Sequence, residues 1–460
     1  MIEPPTLLSD VDWVKEGDTC VRLFSELIRI PTVNPPGNER PAAELIADFL
    51  RGEGLEPKVL ESEPRRASVV VRYAGTGELP PLLLNAHLDV VEADASSWAH
   101  PPFSAATADG CIWGRGAVDM KNMVAMCACV MAMLARSRPS LARDIIFAAV
   151  ADEETGSSKG AHFLVAEHPE LVRAEYALGE VGAFSHHMMG KVFYPIQVAE
   201  KGQVWLRAKF SGEAGHGSMP SSDSAVIRAA EAIVRLGRAR LPFHPTPVVK
   251  RFLRELAAGL PYPARFILPR LSSPFWAPMI LHHVMRDESL KRTFATYLSN
   301  TASPTVVRAG AKTNVIPASA SFEIDGRTLP GQDEAAFLRE VRALVGDEAI
   351  FDVLASQPPV VTPVDTPMFR CLSEVLRRND PDAIPIPAII PGFTDAKAYT
   401  RLGTKYYGFA PVRFAASDGI SFAAMYHGKD ERIPEAGLRW GLATLYEAVI
   451  RFASERAVIR

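Results

Sequence analysis

Long apolar runs are scarce in this chain. The longest, residues 123–135, is too short to cross a bilayer. The first ten residues lack the charged start and the apolar core of a secretion signal. We therefore expect a soluble, cytoplasmic protein with no membrane partner.

Basic clusters and paired cysteines are also lacking. The formal net charge is −3, and no Lys/Arg block or basic run interleaved with aromatic residues is present. These features argue against nucleic acid as a partner. The five cysteines are odd in number and lack the spacing of a zinc or redox pair, so we predict buried free thiols.

What the sequence does contain is an ordinary globular balance, with 48% hydrophobic and 22% charged residues over 460 positions. Strand-like and helix-like segments alternate between residues 82 and 179, which predicts an α/β fold with a mostly parallel sheet and helices on both faces. From residue 203 the pattern becomes an alternation of apolar and polar residues. We predict a smaller α+β lid domain, residues 203–357, inserted into a catalytic domain formed by residues 1–202 and 358–460.

Two adjacent carboxylates, Glu153 and Glu154, follow an apolar run at residues 144–150 that predicts a buried strand. Successive side chains on an extended backbone point to opposite sides. We therefore expect one of the pair to bind a metal ion and the other to face the substrate.

Other candidate ligands lie at or just beyond predicted strand ends, namely His87, Asp119 and Glu180. Ligands of parallel sheets bind at the carboxyl ends of the strands, so one crevice can hold all of these side chains. Taken singly, each is more typical of a structural hydrogen bond or a helix cap, but their order along successive strands favours a metal site. An imidazole with several carboxylates suits a divalent ion such as zinc, and a shared carboxylate makes a pair of ions reasonable. His427, before the last predicted helix, is the best candidate for a second histidine.

In this arrangement the sequence resembles the dinuclear zinc peptidases and deacylases that include aminoacylase-1, acetylornithine deacetylase, succinyl-diaminopimelate desuccinylase, the bacterial glutamate carboxypeptidase and yeast carboxypeptidase S. The resemblance covers nearly the whole chain. It implies that His87, Asp119 and Glu180 hold one metal ion and that Asp119, Glu154 and His427 hold the other, with Asp119 bridging. The implied cofactor is two divalent ions per chain, most simply Zn(II), with Co(II) or Mn(II) as other candidates.

The resemblance also implies roles for residues that bind no metal. Glu153 would be the general base, and Asp89 would orient the ring of the first histidine through its second nitrogen. His216, in the Gly-rich segment 212–220, would polarise the scissile carbonyl. Asn314 and Arg327 would contact the substrate, and the forked guanidinium of Arg327 suits a carboxylate. The structural alternative for Arg327 is a local ion pair with a neighbouring acid in the same strand.

One departure from the family pattern lies at residues 391–395. The family commonly shows Gly-Gly-Thr-Asp, and here Gly392 and Thr394 flank Phe393, which replaces the second glycine. The resemblance assigns Gly392 and Thr394 to the substrate-binding loop. Phe cannot adopt every backbone conformation open to Gly, so we expect a loop of different shape and a more apolar pocket.

The implied function is a metal-dependent hydrolase that cleaves an amide bond next to a free carboxylate. The first candidate substrate is an N-acyl amino acid with an apolar acyl group or side chain, because segment 241–300 resembles the lengthened lid of the carboxypeptidase S branch. A dipeptidase or carboxypeptidase acting on short peptides is the alternative, and an inactive metal-binding scaffold is a third possibility. Relatives often form homodimers through the lid, and the same assembly is open to this chain.

Overall fold

The computed structural model describes residues 10–416 and 425–454, without the side chain of Ser289. The chain divides into two compact units. The first consists of Met1–Val198, Thr362–Pro387 and Thr394–Arg460. The second consists of Ala199–Val361 and Ala388–Phe393. The short segment Ala388–Phe393, which the sequence assigned to the catalytic domain, thus belongs to the second unit. Its main chain is held there by a hydrogen bond from the amide of Lys201 to the carbonyl of Ile390 (3.2 Å).

The first unit is built on a mixed sheet with a parallel centre. Its strands and the nearby short strands are β1 (Lys58–Glu63), β2 (Arg66–Tyr73), β3 (Leu79–His87), β4 (Ala106–Ala108), β5 (Cys111–Trp113), β6 (Arg143–Val150), β7 (Tyr176–Gly179), β8 (His186–Met188) and β9 (Lys191–Glu200). Later in the chain come β17 (Ala383–Ile390), β18 (Lys405–Gly408) and β19 (Arg432–Pro434). The order in the sheet is β1-β2-β6-β3-β7-β18-β9, and β6, β3, β7 and β18 run parallel to one another. The prediction of a mostly parallel α/β sheet is confirmed for this core.

Helices cover this sheet. They are α1 (Trp13–Ile28), α2 (Arg40–Gly52), α3 (Lys121–Ser137), α4 (Ala161–Glu167), α5 (Pro169–Val172), α12 (Pro367–Asn379), α13 (Ala396–Tyr399) and α14 (Glu435–Ser454). Helix α3 is apolar around its whole circumference, and every residue from its start to Leu134 is buried. The five cysteines are all free and buried, as predicted. Among the described residues, no helix combines the length and apolar character that crossing a membrane requires.

The second unit is an antiparallel sheet with two helices packed on it. Its strands are β10 (Gly202–Ser211), β11 (Gly215–His216), β12 (Thr301–Ala309), β13 (Val315–Ile316), β14 (Ser319–Thr328), β15 (Ile350–Gln357) and β16 (Val360–Val361). Four of them form a sheet in the order β12-β14-β10-β15. Alternate side chains of β10, from Val204 to Phe210, enter one core with helices α6 (Ala225–Arg238) and α11 (Glu334–Val345). The alternation seen in the sequence therefore marks the buried face of this sheet.

Between α6 and β12 the chain forms a run of short helices. They are α7 (Pro247–Ala258), α8 (Ala264–Ile267), a 3₁₀ helix (Leu268–Ser272), α9 (Trp276–Met279), a π-helical turn (Ile280–Val284) and α10 (Glu288–Leu298). These helices lie within segment 241–300, which resembles in sequence the lengthened lid of the carboxypeptidase S branch.

Candidate metal centre and active site

The parallel strands bring the predicted ligands to one edge of the sheet. Strand β3 ends at His87, which pairs with Val150 at the end of β6. On the other side β3 pairs with β7, which ends one residue before Glu180. The acid pair follows the end of β6 after two intervening residues. The carboxyl ends of three neighbouring strands therefore supply the side chains of one crevice.

Asp119 stands between two histidines and offers a different oxygen to each. Its Oδ1 lies 3.0 Å from Nε2 of His87, and its Oδ2 lies 3.1 Å from Nε2 of His427. The same nitrogen of His427 lies 3.1 Å from Oε2 of Glu154. Nε2 of His87 lies 3.7 Å from Oε2 of Glu180. The structure thus brings all five predicted ligands together, arranged around the carboxylate that was predicted to bridge.

Several ligand atoms in this crevice lack ordinary hydrogen-bond partners. Among the described residues, Oε1 of Glu154 and Oε1 of Glu180 are buried without one, and Oδ2 of Asp119 has only the ion-pair contact with His427 at 3.1 Å. Leaving buried acceptors and charges uncompensated is costly, and a cation between the carboxylates removes that cost. Mixed nitrogen and carboxylate donors suit Zn(II), Co(II) or Mn(II). The residues present therefore fit a divalent metal centre.

The pKa shifts of the crevice also favour a bound cation. Burial raises the pKa of Glu153, and the nearby Glu180 carboxylate raises it further. Burial likewise raises the pKa of Glu154 to about 7, with Asp119 adding to the effect. Burial works against ionisation of Asp119, but the two histidine rings bring its pKa below the usual range. The Asp119 and Glu154 carboxylates raise the pKa of His427 to about 10. Several carboxylates this close to one another stay ionised only when positive charge lies beside them.

The acid pair does not lie on an extended backbone, which corrects the sequence prediction. Residues Glu153–Thr155 form a 3₁₀ turn. The carboxylate of Asp89 holds that turn, because it accepts hydrogen bonds from the main-chain N–H groups of Glu153 and Glu154 (both 3.1 Å). Asn34 donates to the same carboxylate (2.8 Å). The two glutamates still point to different places. Glu154 belongs to a possible ligand group with His87 and Asp119, whereas Glu153 lies in one with His87 and Glu180.

Asp89 also contacts the first histidine, although mainly through its main chain. Nδ1 of His87 lies 3.0 Å from the carbonyl oxygen of Asp89 and 3.4 Å from its carboxylate Oδ1. The shorter carbonyl contact is the one that fixes the ring, since the carboxylate is already occupied by the turn that carries the acid pair.

The sequence analysis missed Glu431, which shapes the loop of the bridging ligand. Its fully buried carboxylate accepts hydrogen bonds from the main-chain N–H groups of Gly116 (2.9 Å), Val118 (2.6 Å) and Asp119 (3.0 Å). Arg115 donates a further bond to it (2.9 Å). The only sequence signal is an acidic residue shortly after the second histidine. Glu431 therefore ties the two loops that carry opposite sides of the metal centre.

Two further polar side chains line the crevice. Asp395 is buried, accepts a hydrogen bond from Ser157 Oγ (2.7 Å), and has its pKa raised to about 7 by burial and by the Glu180 charge. The Tyr426 hydroxyl lies 3.4 Å from Oε2 of Glu180, and its ring stacks on that of His427. The two contacts of Tyr426 hold a predicted ligand on each side of the centre.

The remaining predicted site residues lie in the second unit, except for Thr394. His216 and Val315 pair in a two-stranded ribbon, and the amide of Gly217 donates to the carbonyl of Asn314 (2.9 Å). The structure therefore places His216 beside Asn314. Both side chains are exposed, and Nδ1 of His216 lies 2.7 Å from Oγ of Ser218.

Part of the Arg327 guanidinium is bound by a neighbouring acid. Its Nε donates to Oδ1 of Asp325 (2.8 Å), which is the local ion pair considered above. Its Nη1 is buried without a hydrogen-bond partner among the described residues. The ring of Phe393 lies 5.6 Å from the guanidinium carbon, within cation–π distance. Because Nη2 also donates to Oδ2 of Asp325 (3.3 Å), Nη1 is the nitrogen that could take a further acceptor.

Gly392 and Thr394 belong to different units. Gly392 is half-buried in the second. Thr394 is buried in the first, where its Oγ1 accepts a hydrogen bond from the amide of Ala396 (3.1 Å) at the start of α13. The Thr394 hydroxyl therefore serves as the acceptor for the first main-chain N–H of α13 in this structure.

Solved structures share the fold. The M20 family metallo-carboxypeptidase Sso-CP2 from Sulfolobus solfataricus superposes with a TM-score of 0.71 at 17% identity, over 94% of this chain and 98% of that one. The Bacillus subtilis YXEP protein, described as a dinuclear metal binding peptidase from the M20 family, gives a TM-score of 0.59 at 15% identity, over 96% of this chain and 99% of that one. At these identities the likeness concerns the fold alone.

Sequence relatives cover the chain almost end to end. The human N-fatty-acyl-amino acid synthase/hydrolase PM20D1 is 28% identical over 93% of this chain and 85% of its own length. Aminoacylase-1 from Sus scrofa is 27% identical over 96% and 98%. The family model for peptidase family M20/M25/M40 matches residues 83–451, which include every predicted metal ligand. The chain therefore belongs to peptidase family M20/M25/M40 and is a hydrolase of amide or peptide bonds.

Proposed function

We propose that this protein hydrolyses N-acyl amino acids and uses two divalent metal ions, most simply Zn(II), held by His87, Asp119, Glu154, Glu180 and His427. The observation that carries the proposal is the position of Asp119 between the two histidines, with one carboxylate oxygen toward each. Bound divalent ions supply Lewis acidity, which polarises a carbonyl oxygen and makes water a stronger acid.

Glu153 is the general base in this proposal. Its carboxylate accepts the proton of the attacking water and passes it to the nitrogen of the leaving amine. The raised pKa of Glu153 suits both steps, because a base that is too weak cannot take the proton and one that is too strong does not return it. The main-chain N–H of Glu153 donates to the Asp89 carboxylate, which holds the turn that carries this side chain.

In the second unit, His216 polarises the scissile carbonyl and Asn314 assists it. Arg327 binds the free carboxylate of the substrate. The buried Nη1 of Arg327 supports this role, since a substrate carboxylate would supply the acceptor that it lacks. The names of the human and pig relatives support an N-acyl amino acid, and the first of them names a fatty acyl group. We therefore propose an apolar acyl group.

The test compares N-acyl amino acids, dipeptides and N-acyl amino acid amides as substrates of the zinc-loaded protein. We expect the N-acyl amino acids to have the highest kcat/KM and the amides to be strongly disfavoured. Arg327→Ala should lose about one to two decades in kcat/KM on the carboxylate substrate and should no longer discriminate against the amide. Arg327→Lys should keep part of the activity.

Arg308→Ala is the matched control, because Arg308 is an exposed arginine of the same sheet that pairs with Glu323. It should behave as the wild type. Faster turnover of dipeptides than of N-acyl amino acids would replace this proposal with a dipeptidase. Equal discrimination by the wild type and by Arg327→Ala would mean that the carboxylate is bound elsewhere.

A further inference from the structure

The run of short helices after α7 exposes large apolar side chains. Tyr262 is 79% exposed, Phe275 78%, Phe266 53%, Met279 42% and Trp276 40%. We call these five side chains the aromatic surface. A helical segment normally turns such residues inward, and this one does bury others, namely Leu268, Leu271, Ala277, Ile280 and Leu281. The exposed set therefore lies outside a core that is already formed.

The aromatic surface is held by its own local packing. The rings of Tyr262 and Phe266 lie 6.3 Å apart, and those of Phe275 and Trp276 lie 5.2 Å apart. Helices α8 and α9, which carry or adjoin these rings, both pack on the 3₁₀ helix between them. Exposed apolar groups of this kind are typical of a surface that meets a partner.

The charge around the aromatic surface indicates what kind of partner it fits. Residues 256–286 contain three arginines, Arg265, Arg270 and Arg286, and no aspartate or glutamate, although the chain as a whole has a formal net charge of −3. The Arg270 guanidinium lies 3.4 Å from the centroid of the Phe266 ring and donates to the Phe266 carbonyl. The segment thus combines cationic heads with aromatic and apolar bodies.

We propose that the aromatic surface docks on an anionic lipid interface, with Phe275, Trp276 and Met279 among the acyl chains and Arg265 and Arg270 at the headgroups. Tyr and Trp favour the boundary between water and hydrocarbon, and arginines near an anionic surface add roughly 1 kcal/mol each. The binding is peripheral and needs no membrane-spanning helix. The expectation of no membrane partner rested on the lack of a spanning segment and of a secretion signal, and neither bears on peripheral binding. This proposal does not depend on which amide substrate the enzyme hydrolyses.

A second copy of the chain fits this surface less well. A two-fold interface places the same patch against itself, so the arginines of one copy would meet those of the other. Within residues 256–286 no acidic side chain is available to compensate them. An anionic interface supplies that compensation along its whole area.

The experiment measures binding of the metal-loaded full-length protein to vesicles of phosphatidylcholine, with and without phosphatidylserine, by flotation at low and high salt. We expect binding to the phosphatidylserine vesicles that weakens at high salt. The double variant Phe275→Ser/Trp276→Ser should bind about tenfold less tightly or worse, because it removes the inserted area. Arg265→Gln should bind roughly fivefold less tightly.

Two variants serve as matched controls. Ile350→Ser replaces an apolar side chain of the same unit that is 63% exposed, and Arg339→Gln removes an exposed arginine of α11. Both should bind as the wild type does. Thermal unfolding and metal content verify that all variants are folded. The proposal is overturned if the wild type does not float with phosphatidylserine vesicles at low salt, or if the aromatic variant binds equally well. It is also overturned if that variant turns a dimer into a monomer in sedimentation while vesicle binding is absent, which would assign the surface to a second copy.

Discussion

The metal crevice of the first unit and the candidate substrate groups of the second are held in opposite ways. In the crevice, Asp119, Glu153 and Glu180 are almost fully buried. The loops of Asp119 and Glu153 are fixed because their main-chain N–H groups donate hydrogen bonds to the carboxylates of Glu431 and Asp89. In the second unit, His216 and Asn314 are exposed and rely on a two-stranded ribbon.

This difference shows which assignments rest on energetics. Burying several carboxylates together destabilises a fold unless positive charge accompanies them. The buried carboxylates of the crevice therefore favour bound cations. An exposed histidine or asparagine costs nothing to keep in water, and its position alone indicates no ligand. Arg327 lies between these cases, because its Nη1 is buried with no hydrogen-bond partner in the part of the chain that the structure describes, while its Nε is paired with Asp325.

The strongest way to sharpen the comparison is to separate chemistry from metal binding inside the crevice. Glu153→Gln keeps the shape of the side chain and removes the base, so turnover should fall by about 10²–10⁴-fold while metal remains bound. The wild-type kcat/KM should rise with pH through the raised pKa of Glu153, since the protonated carboxyl cannot accept a proton. Glu153→Gln should lose that limb of the profile. Turnover against pH and elemental analysis check both points.

Glu154→Gln is the matched control for that variant, because it changes the neighbouring residue of the same 3₁₀ turn. Its side chain lies 3.1 Å from His427, and we expect it to lose metal affinity rather than proton transfer alone. If the two variants lost metal to the same degree, both glutamates would be ligands and the assignment of Glu153 as the base would fail.

The sequence could predict that His87, the acid pair and Glu180 lie close together, because each follows an apolar run whose strand ends at the same sheet edge. Within the described residues, Asp119 and His427 directly follow no strand of this sheet, so this argument does not extend to them. The sequence could not predict the conformation of the acid pair, since the 3₁₀ turn depends on the Asp89 carboxylate, which lies 64 residues away from Glu153. The role of Glu431 was equally out of reach, because its main-chain partners lie 312 to 315 residues earlier. Contacts between distant loops leave no periodic pattern in a sequence. The alternating strand β10, by contrast, was predictable because its pattern is local.

The second way to test the comparison is to weaken the hydrogen bonds that hold the ligand-bearing loops, without replacing a ligand. Glu431→Gln replaces an oxygen acceptor with an N–H donor that opposes the main-chain donors of the Asp119 loop. We expect metal affinity to fall by about 10–100-fold, the usual effect of losing a residue that orients a metal ligand. Competition with a metal-binding dye measures it.

Glu435→Gln is the control for this variant, since Glu435 is a nearby glutamate in α14 that pairs with Arg439. It should leave metal affinity unchanged. Unchanged affinity in Glu431→Gln would show that the loop of the bridging ligand keeps its shape without this carboxylate, and the contrast between the two regions would then rest on burial alone.

The smallest expected effect concerns Phe393, which stands where the family commonly has glycine. Its ring lies within cation–π distance of Arg327, so it should restrain the guanidinium and favour the orientation that leaves Nη1 open. Phe393→Leu keeps an apolar side chain but removes the aromatic face. In a double-mutant cycle with Arg327→Ala, we expect a coupling of about 0.5–1 kcal/mol, or about two- to fivefold in kcat/KM on a carboxylate substrate. The same cycle on the amide substrate should show no coupling, because Arg327 then has no carboxylate to bind.

Phe351→Leu provides the control, since Phe351 makes a similar contact with Arg342 in the same unit and should change stability without changing kcat/KM. Purely additive effects of Phe393→Leu and Arg327→Ala on the carboxylate substrate would show that the ring does not position the guanidinium, and that the aromatic residue changes only the shape of its loop.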